Sequence, residues 1–185
     1  MAKISKSKGV DSRIVGDAPG PEINFQCFDA LKVSLCIEKE GLSFYERAGK
    51  AARDPEVKDM FARLADEERE HIRCLQEKAK YLQPALSRKA ESHSVEQFIA
   101  RRLKGKVFPA GKGRGWESPE FHTDAEALRF GIESEKRSIQ ALSELVMMER
   151  KIDVRAIFQH LMVEEKKHLS ALEELQTRMT KKAAQ

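Results

Sequence analysis

The sequence predicts an all-α protein, a four-helix bundle made of two repeated helical hairpins joined by a long crossover. Three observations carry that reading. Charged residues make up 35% of the chain while prolines number six and glycines ten, a balance that suits long amphipathic helices better than sheets. Apolar residues recur at steps of three and four along four stretches, the period of one helix face. The octet Leu64-Ala65-Asp66-Glu67-Glu68-Arg69-Glu70-His71 also returns ninety-seven residues later as Leu161-Met162-Val163-Glu164-Glu165-Lys166-Lys167-His168. Two copies make a duplication, not a solenoid.

The elements follow in order. Residues 1–23 carry Gly9, Gly16, Pro19, Gly20 and Pro21 with little apolar periodicity, and are expected to form a flexible or loosely docked arm. The bundle is expected over 24–182. Its first helix should run from Asn24 to Ala52, with Phe28, Leu31, Leu35, Glu38, Leu42 and Tyr45 on one face. Asp54-Pro55 supplies an N-cap and a first-turn proline for a second helix, whose stripe is Val57, Phe61, Leu64, Glu68, His71 and Leu75 and which stops near Gln83-Pro84. From about 84 to 122 the pattern breaks, save for a short helix from Ser94 to about Leu103. A connection this long has a reason if the second and third helices run parallel, because the chain must then cross the length of the bundle. Thr123 and Glu126 are spaced as a capping box for a third helix ending near Glu149, with Leu128, Ile132, Glu135, Ile139 and Leu142 on its stripe. The fourth helix starts near Asp153 and carries Val154, Phe158, Leu161, Glu165, His168, Leu172 and Leu175. At the same offset Ala30-Leu31 matches Ala127-Leu128 and Glu38-Lys39 matches Glu135-Lys136, so a pseudo-twofold axis should relate the hairpins.

A Glu and a His three residues apart point to nearly the same place on a helix. Each copy of the octet has such a pair, and each has a further glutamate thirty positions upstream: Glu38 before Glu68, Glu135 before Glu165. All six residues lie on apolar stripes, so packing the stripes together drives four carboxylates and two imidazoles into one core. Each unpaired buried charge would cost several kcal/mol, which a fold stable by roughly 5–15 kcal/mol cannot carry uncompensated. Two divalent cations would balance four carboxylates. One imidazole per metal amid oxygen ligands suits iron, with manganese or zinc possible, and argues against an all-oxygen calcium site. The alternative is a buried Glu–His network without metal, duplicated at identical spacing by coincidence.

These residues resemble the ferritin-like di-iron carboxylate superfamily. Ala30-Leu31, Glu38-Lys39-Glu40, Phe44-Tyr45-Glu46 and Glu67-Glu68-Arg69-Glu70-His71 are similar to the first hairpin of its rubrerythrin-like branch. The resemblance covers roughly 27–82 and 123–178. It implies two iron ions, with Glu38 and Glu135 as terminal ligands, Glu68 and Glu165 bridging, and His71 and His168 each capping one metal. It further implies an oxidoreductase that reduces peroxide or dioxygen. Iron binding or storage of the ferroxidase type, or purely structural metals, are the other readings. Two features depart from rubrerythrins proper. Where they carry a further glutamate three residues after the third-helix ligand, this chain has Ser138, which puts their strict peroxidase chemistry in question. The absence of any C-x-x-C pair argues against an attached rubredoxin-type centre, so electrons should come from a separate donor protein.

The remaining signals are weaker. Tyr45 stands two turns after Glu38 on the same face, as a hydrogen-bonding neighbour of the site or as a buried tyrosine with its hydroxyl satisfied; its counterpart is Leu142. Cys27, Cys36 and Cys74 form no even-numbered framework, which fits a reducing, cytoplasmic compartment. His93, His122 and His160 fall outside the ligand pattern. Arg101, Arg102, Lys104, Lys106, Lys112 and Arg114, with Phe108 and Trp116, read as a solvated crossover packing its aromatics on the bundle, or as a docking surface for an acidic partner. The net charge of +4 is interspersed, which is not a nucleic-acid footprint. No apolar run is long enough to span a membrane. A homodimer is the expected assembly, since dimers are the commonest soluble oligomers.

Overall fold

The computed structural model describes residues 25–82, 92–108 and 121–184. The arm expected over 1–23 lies outside them, as do Lys112, Arg114 and Trp116 of the crossover. The elements are α1 (Cys27–Ala51), α2 (Pro55–Leu82), α3 (Ser92–Phe98) running into a π-helical turn (Ile99–Leu103), α4 (Asp124–Met148) and α5 (Ile152–Ala183). Helix α1 packs along α2 and α4 along α5, and α1 and α2 both meet α5. This is an all-α, ferritin-like bundle of two hairpins.

Local chemistry sets the helix ends. At α1, Gln26 and Asp29 cap each other reciprocally, with Gln26 N–H donating to Asp29 Oδ2 at 3.0 Å. At α2, Asp54 Oδ1 accepts from Glu56 N–H at 2.8 Å. Thr123 caps α4 as expected, its Oγ1 accepting from Glu126 N–H at 3.1 Å. Glu126 reaches back one residue further than a capping box requires, accepting from His122 N–H at 3.0 Å. Each hairpin turn is tied to the start of the other hairpin. Asp124 accepts from Arg53 and Asp54 N–H at 2.9 and 2.7 Å, and Lys151 Nζ donates to Phe25 O at 2.8 Å.

The stripes of α2 and α5 are buried as the periodicity predicts, with His71 the one half-buried member. On α1 the buried face is turned from the expected one. Phe28, Leu35 and Leu42 are half-buried, whereas Val33, Ser34, Ile37, Gly41, Phe44 and Ala48 line the core beside Leu31, Glu38 and Tyr45. Ile139 on α4 is likewise half-buried, while Ser134, Ser138 and Ala141 are buried. Small residues let helices approach closely, and a count of large apolar residues does not register them.

The described part of the crossover packs on the bundle. Leu103, Val107 and Phe108 are buried, and the Phe108 ring lies 5.9 Å from Phe44 and 6.2 Å from Tyr45 between centroids. Gly105, at φ +70°, makes the turn and donates its N–H to Glu40 Oε1 at 2.9 Å. Among the described residues no helix is long and apolar enough to cross a membrane.

Candidate metal centre

The four long helices bring the six anticipated residues to one place. Glu38 comes from α1, Glu68 and His71 from α2, Glu135 from α4, and Glu165 and His168 from α5. Five are buried, and the His71 side chain retains 24% exposure. They form two groups with potential ligand atoms within 4.8 Å of one another: Glu68, Glu135, Glu165 and His168 in one, Glu38, Glu68 and His71 in the other. Glu68 belongs to both. Glu165 belongs to the first only.

The histidines face inward through Nδ1. His168 Nδ1 lies 3.4 Å from Glu68, 3.7 Å from Glu135 and 3.5 Å from Glu165. His71 Nδ1 lies 3.4 Å from Glu38 and 4.0 Å from Glu68. The two rings stack with centroids 5.8 Å apart.

Buried polar atoms are nearly always hydrogen-bonded, yet here they are left open. Both carboxylate oxygens of Glu38, Glu68 Oε2, Glu135 Oε2, His71 Nδ1 and both ring nitrogens of His168 have no hydrogen-bond partner among the described residues. Ligands about 2.0–2.2 Å from one ion stand up to about 4.4 Å apart across it, close to the separations seen here. The donor set, the spacing and the open lone pairs therefore fit divalent metal ions.

Without metal the site is electrostatically tense. Burial raises Glu38 to about 7, against the favourable pull of His71. Burial and the charge of Glu165 hold Glu135 well above the usual carboxylate range. Burial also acts to raise Glu165, but His168, Glu135 and Ser138 together hold it below its ordinary value. Burial disfavours the charged form of His168, and Glu135 and Glu165 overcome that and raise it to about 10. His71 is raised by Glu38, with burial opposing. Three carboxylates of one cluster displaced from their ordinary range, two upward and one downward, are what a buried cation site produces when empty of charge compensation.

A surrounding layer positions these groups. Tyr45 is fully buried and its hydroxyl donates to Glu135 Oε1, so its partner is the glutamate of the opposite hairpin and not Glu38 of its own helix. Ser138 Oγ donates to Glu165 Oε1 at 2.6 Å. Gly41 stands at the same repeat position as Ser138, and a Cβ there would lie 2.9 Å from Glu68 Oε1. Gly41 makes room for Glu68 and Ser138 ties Glu165, each serving the inner glutamate of the following helix. The signal was available in the sequence: both follow the upstream glutamate by three residues. His122 and His160 are exposed and take no part. Cys36 and Cys74 are half-buried; burial first, and neighbouring carboxylates second, raise both thiols, which keeps them protonated.

Neither the curated proteins nor the solved structures compared with the chain gave a match. The family model described as Rubrerythrin matches residues 29–176, a span that runs from the first turn of α1 almost to the end of α5 and takes in all six candidate ligands. On that match, with the paired carboxylate–histidine groups at its centre, the chain belongs to the rubrerythrin family, a ferritin-like di-iron family.

Proposed function

We propose that the protein is a non-haem di-iron oxidoreductase that reduces peroxide or dioxygen. The observation that carries this is the pair of buried carboxylate–histidine groups sharing Glu68, with unpartnered lone pairs turned toward each other. In this reading Glu68, Glu135, Glu165 and His168 would hold one metal ion and Glu38, Glu68 and His71 the other, with Glu68 common to both. Bound iron would supply electrons to the O–O bond of the oxidant, cycling between ferrous and ferric states. The chain's own groups do the rest. Phe44, Phe61 and Phe108 surround Tyr45 and exclude water from one side of the carboxylates. Tyr45 holds Glu135 in place through its hydroxyl, and Ser138 does the same for Glu165. His71 is the most exposed of the six, so a small oxidant would approach on its side. Electrons would come from a separate donor protein, and a homodimer is the proposed assembly.

The test is metal analysis of protein purified without oxygen, then stopped-flow absorption on mixing with peroxide. Two irons per chain and a fast ferric absorption change are expected. Glu68→Ala removes the residue common to both groups and should abolish binding of two ions; a variant that still binds two would refute the ligand assignment.

One observation favours a second reading, iron oxidation for binding or storage. Ser138 stands where rubrerythrins proper carry a further glutamate, and its hydroxyl is engaged by Glu165. A cage-sized particle in gel filtration would support storage; a dimer supports the oxidoreductase.

A further inference from the structure

Each copy of the repeated octet has two adjacent glutamates, and the site uses only the second. Neighbouring residues on a helix point about 100° apart, so Glu67 and Glu164 leave the cluster that Glu68 and Glu165 enter. They do not point at random. Glu67 Oε2 on α2 lies 3.3 Å from Nε2 of His168 on α5, and Glu164 Oε2 on α5 lies 3.9 Å from Nε2 of His71 on α2. Each outer glutamate therefore faces the histidine of the other hairpin, on the ring edge opposite the one that faces the cluster.

We propose that Glu67 and Glu164 are crossed positioning residues. Glu67 accepts from the Nε2–H of His168, and Glu164 is placed to accept from that of His71, leaving each Nδ1 lone pair for a metal ion. This rests on the reading above that both histidines are ligands. A neutral imidazole carries one N–H, so placing it against a carboxylate at Nε2 decides which nitrogen can ligate and which way the ring is turned. His168 depends on this most, because its side chain is 2% exposed and neither nitrogen has another hydrogen-bond partner among the described residues. The two pairs are unequal. Among the described residues Glu67 is otherwise engaged only at 3.7 Å by Arg63, whereas both oxygens of Glu164 accept from Lys167 Nζ at 2.8 Å. Loss of Glu67 should therefore do the greater harm. The crossing also makes each metal position depend on both hairpins beyond the ligands themselves.

The experiment is Co²⁺ titration of the full-length chain, followed by calorimetry and visible absorption. Wild type should bind two ions. Glu67→Ala should weaken one of them by about 10–100-fold and shift its absorption bands, the usual effect of losing a ligand's outer partner. Glu67→Gln, whose amide oxygen can still accept from Nε2, should recover part of that loss. In a His168→Ala background Glu67→Ala should change nothing further, while in a His71→Ala background it should keep its full effect. If wild type binds two ions and Glu67→Ala leaves affinity and spectrum unchanged, or acts additively with His168→Ala, the crossing is overturned and the metal site stands. Should wild type bind fewer than two, the ligand reading fails and the crossing falls with it.

Discussion

Replacing Gly41 with alanine separates what the site needs from what the fold needs. Gly41 is buried in α1 with helical backbone, and a Cβ there would sit 2.9 Å from Glu68 Oε1, 3.3 Å from Glu68 Cδ and 3.4 Å from Phe108 Cζ. Carbon contacts are ordinarily about 3.5 Å or longer, so the carboxylate oxygen must retreat by about 0.5 Å. Metal–ligand distances tolerate only about 0.2 Å. Glu68 is common to both groups, so both metal positions should suffer. The metal-free fold is affected quite differently. Alanine is better than glycine inside a helix by about 0.5–1 kcal/mol, and turning the Glu68 side chain off its preferred rotamer costs about 0.5–1.5 kcal/mol. These nearly cancel. Gly41→Ala should therefore leave metal-free stability in urea within about 1 kcal/mol of wild type while lowering affinity for both ions at least about tenfold. Two ions bound at wild-type affinity would refute the claim that Gly41 makes the space for Glu68.

Other outcomes follow from the same geometry. Ser138→Ala removes the hydroxyl that donates to Glu165 Oε1 at 2.6 Å, and leaving that buried carboxylate short of a partner should cost about 1–3 kcal/mol in urea unfolding of the metal-free protein; a change near zero would mean that Glu165 finds another donor. Tyr45→Phe removes the donor to Glu135 with little change in volume, so it should alter the ferric absorption spectrum more than the melting temperature, and an unchanged spectrum counts against Tyr45 as a neighbour of the site. The metal-free protein should also lose stability as pH rises. Glu38 and His168 are both raised by folding, from 4.5 to about 7 and from 6.5 to about 10. Each contributes stability fully present below its unfolded value and lost as pH passes through its folded value. Glu165, held low, opposes this only toward acid pH. Metal binding requires deprotonated ligands, so metal-loaded protein should show the opposite trend between pH 6 and 9. Thermal melts with and without metal at those two pH values test the pair, and a metal-free melting temperature that climbs with pH would contradict it.

The duplicated octet made most of this legible in advance. Periodicity placed Glu68, Glu165 and His168 on apolar stripes because a helix face repeats every 3.6 residues whatever it packs against. The upstream glutamates, Glu38 and Glu135, follow from the repeat because one hairpin template sets one spacing. The α1 face was less legible. Leu35 and Leu42 suggested one stripe, while Ser34, Gly41 and Ala48 form the seam that is buried. Side-chain hydrophobicity marks what prefers to be buried, but close approach of two helices is decided by what is small.

The contacts between hairpins belong to tertiary structure alone. Tyr45 shares a face with Glu38 but hydrogen-bonds to Glu135, and Glu67, beside Glu68 in sequence, faces His168 a hundred residues on. The pairs Tyr45–Leu142 and Gly41–Ser138 mark the two halves as unequal in sequence, and the structure shows what that difference does. Glu165 is tied by Ser138 where Glu68 is only given room by Gly41, and His71 is half-exposed where His168 is buried. Chain spacing determines which residues a helix presents on one face. Which face of another helix they meet, and how much water remains between them, depends on packing across the bundle, which no local pattern encodes.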